Sequence, residues 1–171
     1  MNILTKTPEV ERKMQIDEFD RKILSVIQDD ASLSIAQVSE RVGLSTTPCW
    51  RRLQKLEREG YIDGRVTLLN QSKIGLELTV FVMIRTSQHN TAWLEKFNSV
   101  VSLFPEIVEV NRLAGEYDYL LKVITKSNSS YDAFYKKFIN LIELNDVTSC
   151  FSMEQIKRST RLPLDAAGGG R

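Results

Sequence analysis

Apolar residues recur at helical spacing in three short segments of the first half of the chain. The first segment runs from Asp17, whose side chain suits a helix N-cap, to Gln28. The second follows Ser34 and ends at Gly43, and the third follows Ser45. Because a tight glycine-containing turn joins the second and third segments, the pattern predicts a helix-turn-helix preceded by one further helix.

The second half alternates runs typical of strands with runs typical of amphipathic helices. The pattern predicts strands over 78–84, 107–114, 117–125 and 147–156, and helices over 90–104 and 129–142. Gly115-Glu116 separates the second and third strands and indicates a hairpin. The order βαββαβ predicts a ferredoxin-like split βαβ domain, so the chain is expected to be an α+β protein.

A short β-prone segment, 61–69, follows the third helix and is interrupted by Asp63-Gly64. We expect it to form a wing strand, which makes the first half a winged helix-turn-helix. Arg65 is available there to a DNA phosphate. Because only Tyr61 and Ile62 precede the turn, a strict two-residue hairpin is not expected.

The charges are unevenly distributed along a nearly neutral chain, which has 23 basic and 22 acidic side chains. Residues 46–58 carry four basic side chains against one acidic. A helical wheel puts the apolar and basic residues of this segment on opposite faces. The apolar set is Cys49, Leu53 and Leu56, and the basic set is Arg51, Arg52, Lys55 and Arg58. The helix can therefore dock through one face and present the other outward.

Two interpretations of this basic face are open. A charge run on a helix is commonly a solvated face whose arginine stems cover apolar surface. DNA binding is favoured because the face is almost purely cationic and lies on the helix that enters the major groove in a helix-turn-helix. Thr46 and Thr47 also stand at its N-terminus, where they can donate to phosphates or base edges. Trp50, at the edge of the apolar arc, is interpreted as a core residue in preference to a base contact.

Residue types that carry catalysis or bind metals are sparse. The single histidine, His89, lies in a polar stretch typical of a solvated loop. Cys49 and Cys150 are far apart and are expected to be small buried hydrophobes, not a disulfide. No apolar run approaches the roughly 20 residues that span a bilayer, and no secretory signal is present, so a cytosolic location is expected. The sequence nominates no enzyme, cofactor or metal site.

Five stretches of the sequence form a combination that is specific in its order and spacing, although each alone is weak. They are Asp20-Arg21-Lys22-Ile23-Leu24, VSERVGLSTTPCWRRLQKLEREGYI, Leu68-Leu69-Asn70, LAGEYDYLL and MEQIKRSTRLPL. With them the chain resembles, from about residue 17 to 164, the Lrp/AsnC family of transcription regulators, also called feast/famine regulators. The resemblance implies a winged helix-turn-helix and a ferredoxin-like ligand domain of the RAM type.

The resemblance implies sites for DNA and for an amino acid. The expected DNA-binding residues are Ser45, Thr46, Thr47, Trp50, Arg51, Arg52, Gln54, Lys55, Arg58 and Arg65, with Thr46, Thr47, Arg51 and Gln54 as base readers. The expected effector-binding residues are Gly115, Glu116, Tyr117, Asp118, Tyr119, Cys150, Phe151 and Ser152. Many relatives carry Asp where Glu116 stands, and a sulfur or branched-chain amino acid is the favoured effector. Without the resemblance, residues 115–119 are equally well a hairpin with ordinary strand and solvated side chains.

The expected domains follow from the same resemblance. They are a flexible arm over 1–16, a DNA-binding domain over 17–70, a hinge over 71–77, an effector-binding and oligomerisation domain over 78–158 and a tail over 159–171. One face of the predicted sheet lacks a cover, and a second copy of the sheet is the simplest one. We therefore expect a homodimer that assembles to a tetramer or octamer. Such a dimer offers two basic helices to double-stranded DNA. If it neutralises about eight phosphates, a plot of the logarithm of the DNA-binding constant against the logarithm of salt concentration should have a slope of about −7.

Three hypotheses of function remain. The first is a nucleoid-associated transcription regulator whose DNA binding or assembly responds to an amino acid. The second is an architectural DNA-wrapping protein without an effector, which shares the salt dependence but not the response to amino acids. The third is a small metabolic enzyme, which needs a nucleophile or an acid/base pair that the sequence does not show. The basic helix favours the first two.

Overall fold

The computed structural model describes residues 16–164. These residues form two compact units, 16–67 together with 158–164, and 68–157. The predicted arm, apart from Ile16, and residues 165–171 of the predicted tail lie outside the described residues. Within the described part of the chain, no helix is long and apolar enough to cross a membrane.

The first unit contains three helices, α1 over Glu18–Asp29, α2 over Ile35–Val42 and α3 over Thr46–Arg58. Asp17 and Ser34 are the N-caps of α1 and α2, and each belongs to a capping box that satisfies two backbone N–H groups. Gly43 ends α2 in the left-handed conformation, with φ of 71°, which glycine adopts without steric cost. The predicted helix-turn-helix is confirmed.

The apolar faces of these helices meet in one core. Its buried residues are Ile23, Leu24, Val38, Val42, Cys49 and Leu56. Ser45 is the N-cap residue of α3, but its side chain makes no capping hydrogen bond. The position of α3 therefore depends on the packing of Cys49 and Leu56 more than on its cap.

The segment after α3 differs from the prediction. Residues 61–77 contain no β-strand, so the strand predicted over 61–69 is wrong and the segment is a loop. The run before Asp63-Gly64 is too short to pair with the run that follows it. Apolar residues of the loop are consequently exposed, among them Val66, at 81%, Leu68, Leu69 and Ile74.

The second unit contains four strands and two helices: β1 over Leu78–Arg85, α4 over Thr91–Val101, β2 over Ile107–Arg112, β3 over Tyr119–Thr125, α5 over Asn128–Leu141 and β4 over Asp146–Phe151. The strands form one antiparallel sheet in the order β2-β3-β1-β4. This order confirms the ferredoxin-like βαββαβ fold. The largest error in the predicted bounds is at β4, which ends at Phe151 where the pattern predicted 156.

Both helices of the second unit cover the same face of its sheet. Alternate residues of β1 and β3 point to that face and are buried, among them Val80, Val82, Ile84, Leu121 and Val123. Aromatic rings from the helices complete this core, including Trp93, Phe97, Phe134 and Phe138. The strand register puts Cys150 on the opposite face, beside Phe81, and Cys150 is exposed. Its predicted burial is therefore wrong, whereas that of Cys49 is confirmed.

Residues 158–164 return to the first unit and pack against α1. The Gln28 amide forms two hydrogen bonds with the backbone of Leu162: Nε2 donates to the carbonyl at 3.3 Å and Oε1 accepts the N–H at 3.0 Å. Arg161 donates to the Asp29 carboxylate at 3.0 Å, and Leu164 packs against the core. Residues 159–164 are thus part of the first unit and not of a separate tail.

An ion pair joins α3 to the start of α1. Arg52 Nη1 donates to Asp17 Oδ2 at 2.5 Å and to Asp20 Oδ1 at 2.8 Å. These bonds to Asp20 and Asp17 raise the pKa of the guanidinium. Burial acts to raise the pKa of Asp17, but the Asp20 N–H and the Arg52 cation bring it below its usual value. The Arg52 side chain thus holds α3 on α1, and we expect it to be less available to a phosphate than the sequence indicated.

Arg52→Ala is expected to lower the free energy of unfolding by about 2 kcal/mol. Asp20 is only 2% exposed, and the substitution leaves its carboxylate with the Asp17 N–H, 3.3 Å away, but without a cation. Arg51→Ala, on the exposed side of the same helix, should stay within about 0.5 kcal/mol of the parent. Urea denaturation of both variants measures the difference, and equal losses would refute the structural role of Arg52.

Candidate nucleic-acid interface and ligand cleft

The helix α3 has one buried face and one exposed face. Cys49 and Leu56 are buried in the core of the first unit. The opposite face is exposed and carries most of the residues predicted to bind DNA: Thr46, Thr47, Trp50, Arg51, Gln54 and Arg58. Ser45, just before the helix, is exposed as well. The helix-turn-helix thus presents polar and basic groups of its second helix outward, as a major-groove helix requires.

The basic residues of α3 differ in whether they form hydrogen bonds or ion pairs with other residues of the chain. Arg51 and Lys55 make no hydrogen bond or ion pair with any residue that the structure describes. The nearest acidic oxygen to Arg58 is on Glu59 at 4.0 Å, which is a weak, exposed pair. With Arg52 turned toward α1, three cations remain available on this face.

Glu57 links α3 to the loop that follows it. Its carboxylate accepts a hydrogen bond from Gln54 Nε2 at 2.9 Å and pairs with Arg65 Nη2 at 2.6 Å. The Gln54 side chain is thereby oriented, while its carbonyl oxygen stays available to a donor. Arg65 is joined to α3 by this pair instead of being a free cation of the loop. In the sequence Glu57 is only the single acidic residue of 46–58, and no local pattern indicates its pair with Arg65.

Trp50 is 52% exposed, so its interpretation as a core residue is wrong. The helical wheel left it at the boundary of the apolar arc, and the residues beside it on that arc already fill the core. The other tryptophan, Trp93, is buried, stacks on Phe97 at 5.1 Å and donates its Nε1–H to the Glu143 carbonyl at 3.2 Å. The base contact predicted for Trp50 remains a prediction.

A cleft of about 460 Å³ lies in the second unit, beside the loop that contains Gly115. Its lining is polar throughout: Arg85, Thr86, Ser87, His89, Glu116, Asp118, Asn145 and Asp146. Only Glu116 and Asp118 of the predicted effector residues are among them. The others come from the end of β1 and the start of β4, which the register puts side by side at Arg85 and Asp146. That register is not visible in the sequence, which is why these residues were missed.

Hydrogen bonds fix the two acidic residues of the loop. Asp118 accepts the Thr86 backbone N–H at 2.8 Å through Oδ2, and its own N–H donates to the Ile84 carbonyl at 2.8 Å. Glu116 pairs with Arg85 at 2.5 Å, and the same guanidinium lies 5.2 Å from the centre of the Tyr117 ring. The cleft therefore has a fixed carboxylate at Asp118 and a cation at Arg85.

The remaining predicted effector residues do not meet in this cleft. Tyr119 is 7% exposed and packs on Phe97 at 4.5 Å, so it belongs to the core. Cys150, Phe151 and Ser152 lie opposite Phe81, Val80 and Thr79, which are four, five and six residues along β1 from Arg85 and so roughly 13 to 20 Å from that end of the cleft. The prediction that they lie near residues 115–119 is wrong within one chain. Space around Gly115 is open, with no close backbone approach.

Neither unit offers a metal site. No group of three or more histidine, cysteine or acidic side chains that could hold a metal ion occurs between residues 16 and 164. His89 is exposed and lines the cleft from its loop, where the sequence predicted a solvated residue.

Comparison with known proteins assigns both units. Residues 79–162 match the Lrp/AsnC ligand-binding domain model and residues 16–63 match a winged helix-turn-helix DNA-binding model. The glutamate uptake regulatory protein of Zymomonas mobilis is 50% identical over 150 residues, which are 88% of this chain and 92% of that protein. These matches place the same two domains in the same order.

Two solved structures share the fold. An AsnC family transcriptional regulator from Agrobacterium tumefaciens superposes with a TM-score of 0.85 at 53% identity, over 88% of this chain and 99% of that one. A transcriptional regulator from Neisseria meningitidis in complex with L-Met has a TM-score of 0.85 at 32% identity, over 90% and 99% of the two chains. The chain is a non-enzymatic member of the Lrp/AsnC family of transcription regulators, with a DNA-binding domain that matches the winged helix-turn-helix model and an Lrp/AsnC ligand-binding domain.

Proposed function

We propose that the protein is a cytosolic, nucleoid-associated transcription regulator that binds double-stranded DNA as a homodimer through α3, and whose DNA binding or assembly responds to an amino acid. The observation that carries the DNA-binding part is the division of basic residues on α3. Arg52 holds the helix in place, and the remaining cations face solvent on the other side. An exposed face rich in cations attracts phosphates, since neutralising them releases counterions.

The exposed residues of α3 divide into two roles in this proposal. Arg51, Lys55 and Arg58 neutralise phosphates. Ser45, at the start of the helix, lies near the same DNA backbone. Thr46, Thr47, Arg51 and Gln54 reach base edges, because the N-terminal part of the second helix enters the groove first. Gln54, whose Nε2 donates to Glu57, can accept a hydrogen bond through its free carbonyl oxygen from a base donor such as the adenine N6 amino group.

The salt dependence of DNA affinity tests this assignment. Three available cations in each protomer neutralise about six phosphates in a dimer, so the slope of log K against log salt should be about −5 and not the −7 expected from four cations. Arg51→Ala should flatten the slope to about −4. Arg52→Ala, the matched control, should destabilise the protein without flattening the slope. An unchanged slope in Arg51→Ala would remove α3 from the interface.

The homodimer is proposed to form through the open face of the sheet. The register of β1 and β3 puts four apolar side chains of the central strands on the face without helices: Phe81, Met83, Leu120 and Ile124. Lys122 lies among them, opposite Phe81. Burying such a strip against its own copy, around a two-fold axis, removes apolar area from water on both sheets. Larger assemblies, tetramers or octamers, would join such dimers through other surfaces.

Phe81→Glu is expected to convert the dimer to a monomer, because it introduces two charges into the apolar strip across the two-fold axis. Sedimentation equilibrium measures the mass of the parent and the variant. Leu103→Glu is the matched control, since Leu103 is 67% exposed but lies after α4, outside this face. A variant at position 81 that sediments like the parent would contradict the proposed interface.

The proposed effector is an amino acid bound at the Asp118 cleft. The ammonium group of a zwitterion needs an acceptor and its carboxylate needs a cation or N–H donors. The cleft offers Asp118 as the acceptor and, as the cation, Arg85, which the ligand carboxylate would share with Glu116. The L-Met complex of the Neisseria protein supports an amino-acid ligand in this family. Because the lining is polar, selectivity for a sulfur or branched-chain side chain requires an apolar wall from a neighbouring protomer.

A thermal-shift screen against the twenty amino acids tests the response. An amino acid present at about 100 times its dissociation constant should stabilise the protein by about 2.7 kcal/mol. Asp118→Asn should abolish that shift, since it removes the charge but keeps an oxygen for the Thr86 N–H. Asp132→Asn removes an exposed carboxylate of α5 that pairs with Lys136, and should keep the shift. Silence across all twenty would favour the architectural DNA-wrapping alternative.

A further inference from the structure

Trp50 is a large apolar side chain on the exposed face of α3, where its indole is not buried in the core. Its indole is half exposed and makes no hydrogen bond or ring contact with any residue in the described part of the chain. Phe19, another exposed ring of the first unit, differs in that Lys22 lies 5.4 Å and Arg52 5.6 Å from its centre. Trp50 therefore has no evident role within the protein.

The position of Trp50 on α3 brings it into the proposed DNA interface. Thr47 precedes it by three residues and Gln54 follows it by four, so both are its neighbours on the exposed face. The free cations Arg51 and Lys55 lie toward one side of that face on the helical wheel, and Trp50 lies on the other. One side of the exposed face thus carries cations that can bind phosphates, and the other side carries the apolar ring of Trp50.

The major groove of DNA offers one strongly apolar feature to such a ring. Base edges there present donors and acceptors, except that thymine also presents its C5-methyl group. Phosphates and sugars beside the groove are polar. An indole brought there by neighbouring cations loses water most favourably against thymine methyl groups.

We propose that Trp50 is a specificity-determining residue that recognises a thymine methyl group in each half-site of the DNA. This inference rests on the proposed function and adds to it a base identity and an apolar contact. It also separates two contributions to affinity. Lys55 and Arg58 act on any sequence through phosphates, whereas Trp50 discriminates among sequences.

Replacing thymidine by deoxyuridine in the DNA tests the contact between Trp50 and the methyl group, because thymine and uracil differ only in that group. The probe is the duplex most enriched by the wild-type full chain from a pool with 20 random base pairs, about two turns of DNA. Each thymine is replaced singly, and Kd is measured by fluorescence anisotropy at fixed salt. The wild type should lose about fourfold in affinity at one thymine per half-site, the effect expected for one buried methyl group.

Trp50→Ala should bind the parent duplex more weakly and bind the thymine and deoxyuridine forms equally. Alanine at this exposed helical position is expected to fold, since it is the best helix former. Lys55→Ala is the matched control: it should weaken binding to every duplex and keep the fourfold discrimination. The inference is overturned if Trp50→Ala keeps that discrimination, or if the wild type is insensitive at every thymine. A wild type that enriches no duplex at all would overturn the DNA-binding proposal together with it.

Discussion

The ion pair between Arg52 and the two acidic residues at the start of α1 is the interaction on which the presentation of α3 depends. Asp17 caps α1 and Asp20 completes its capping box, so bonds within α1 itself orient both carboxylates. Arg52 ties α3 to that fixed point on one side, and Cys49 and Leu56 bury the adjacent side. The side left to solvent is therefore the one that carries Thr47, Gln54 and the free cations.

The ligand-binding unit is inserted in the chain of the DNA-binding unit. Residues 16–67 and 158–164 form one unit, and everything between them forms the other. The returning segment is held by directed bonds, the Gln28 amide to the Leu162 backbone and Arg161 to Asp29 and Ser25. Two chain segments, not one, therefore join the units. The chain connects the start of β1 to the DNA-binding unit through residues before 78, and the end of β4 to the same unit through residues after 151. A conformational change at either strand end can therefore reach the DNA-binding unit along the backbone.

Local patterns predicted the fold well because caps, periodicity and turn residues are local properties. The helix limits at Asp17, Ser34 and Gly43 are each set within a few residues of sequence, and the strand and helix order of the second unit follows from hydrophobic spacing. The site was predicted less well because it depends on partners distant in sequence. In the sequence Arg52 is one of four similar cations, and only the fold places Asp20 beside it. The register of β1 and β4 separates residues 150–152 from residues 115–119 and brings Asp146 close instead.

The central claim is that the exposed face of α3 binds DNA, and the two tryptophans allow a direct measurement in the natural sequence. Fluorotryptophan incorporated into the protein gives two fluorine NMR signals, assigned with Trp50→Ala. Trp93 is buried in the ligand domain and serves as an internal reference. On saturation with an enriched duplex, the Trp50 signal should shift while the Trp93 signal stays in place. A Trp50 signal that does not move when DNA is bound would contradict the claim.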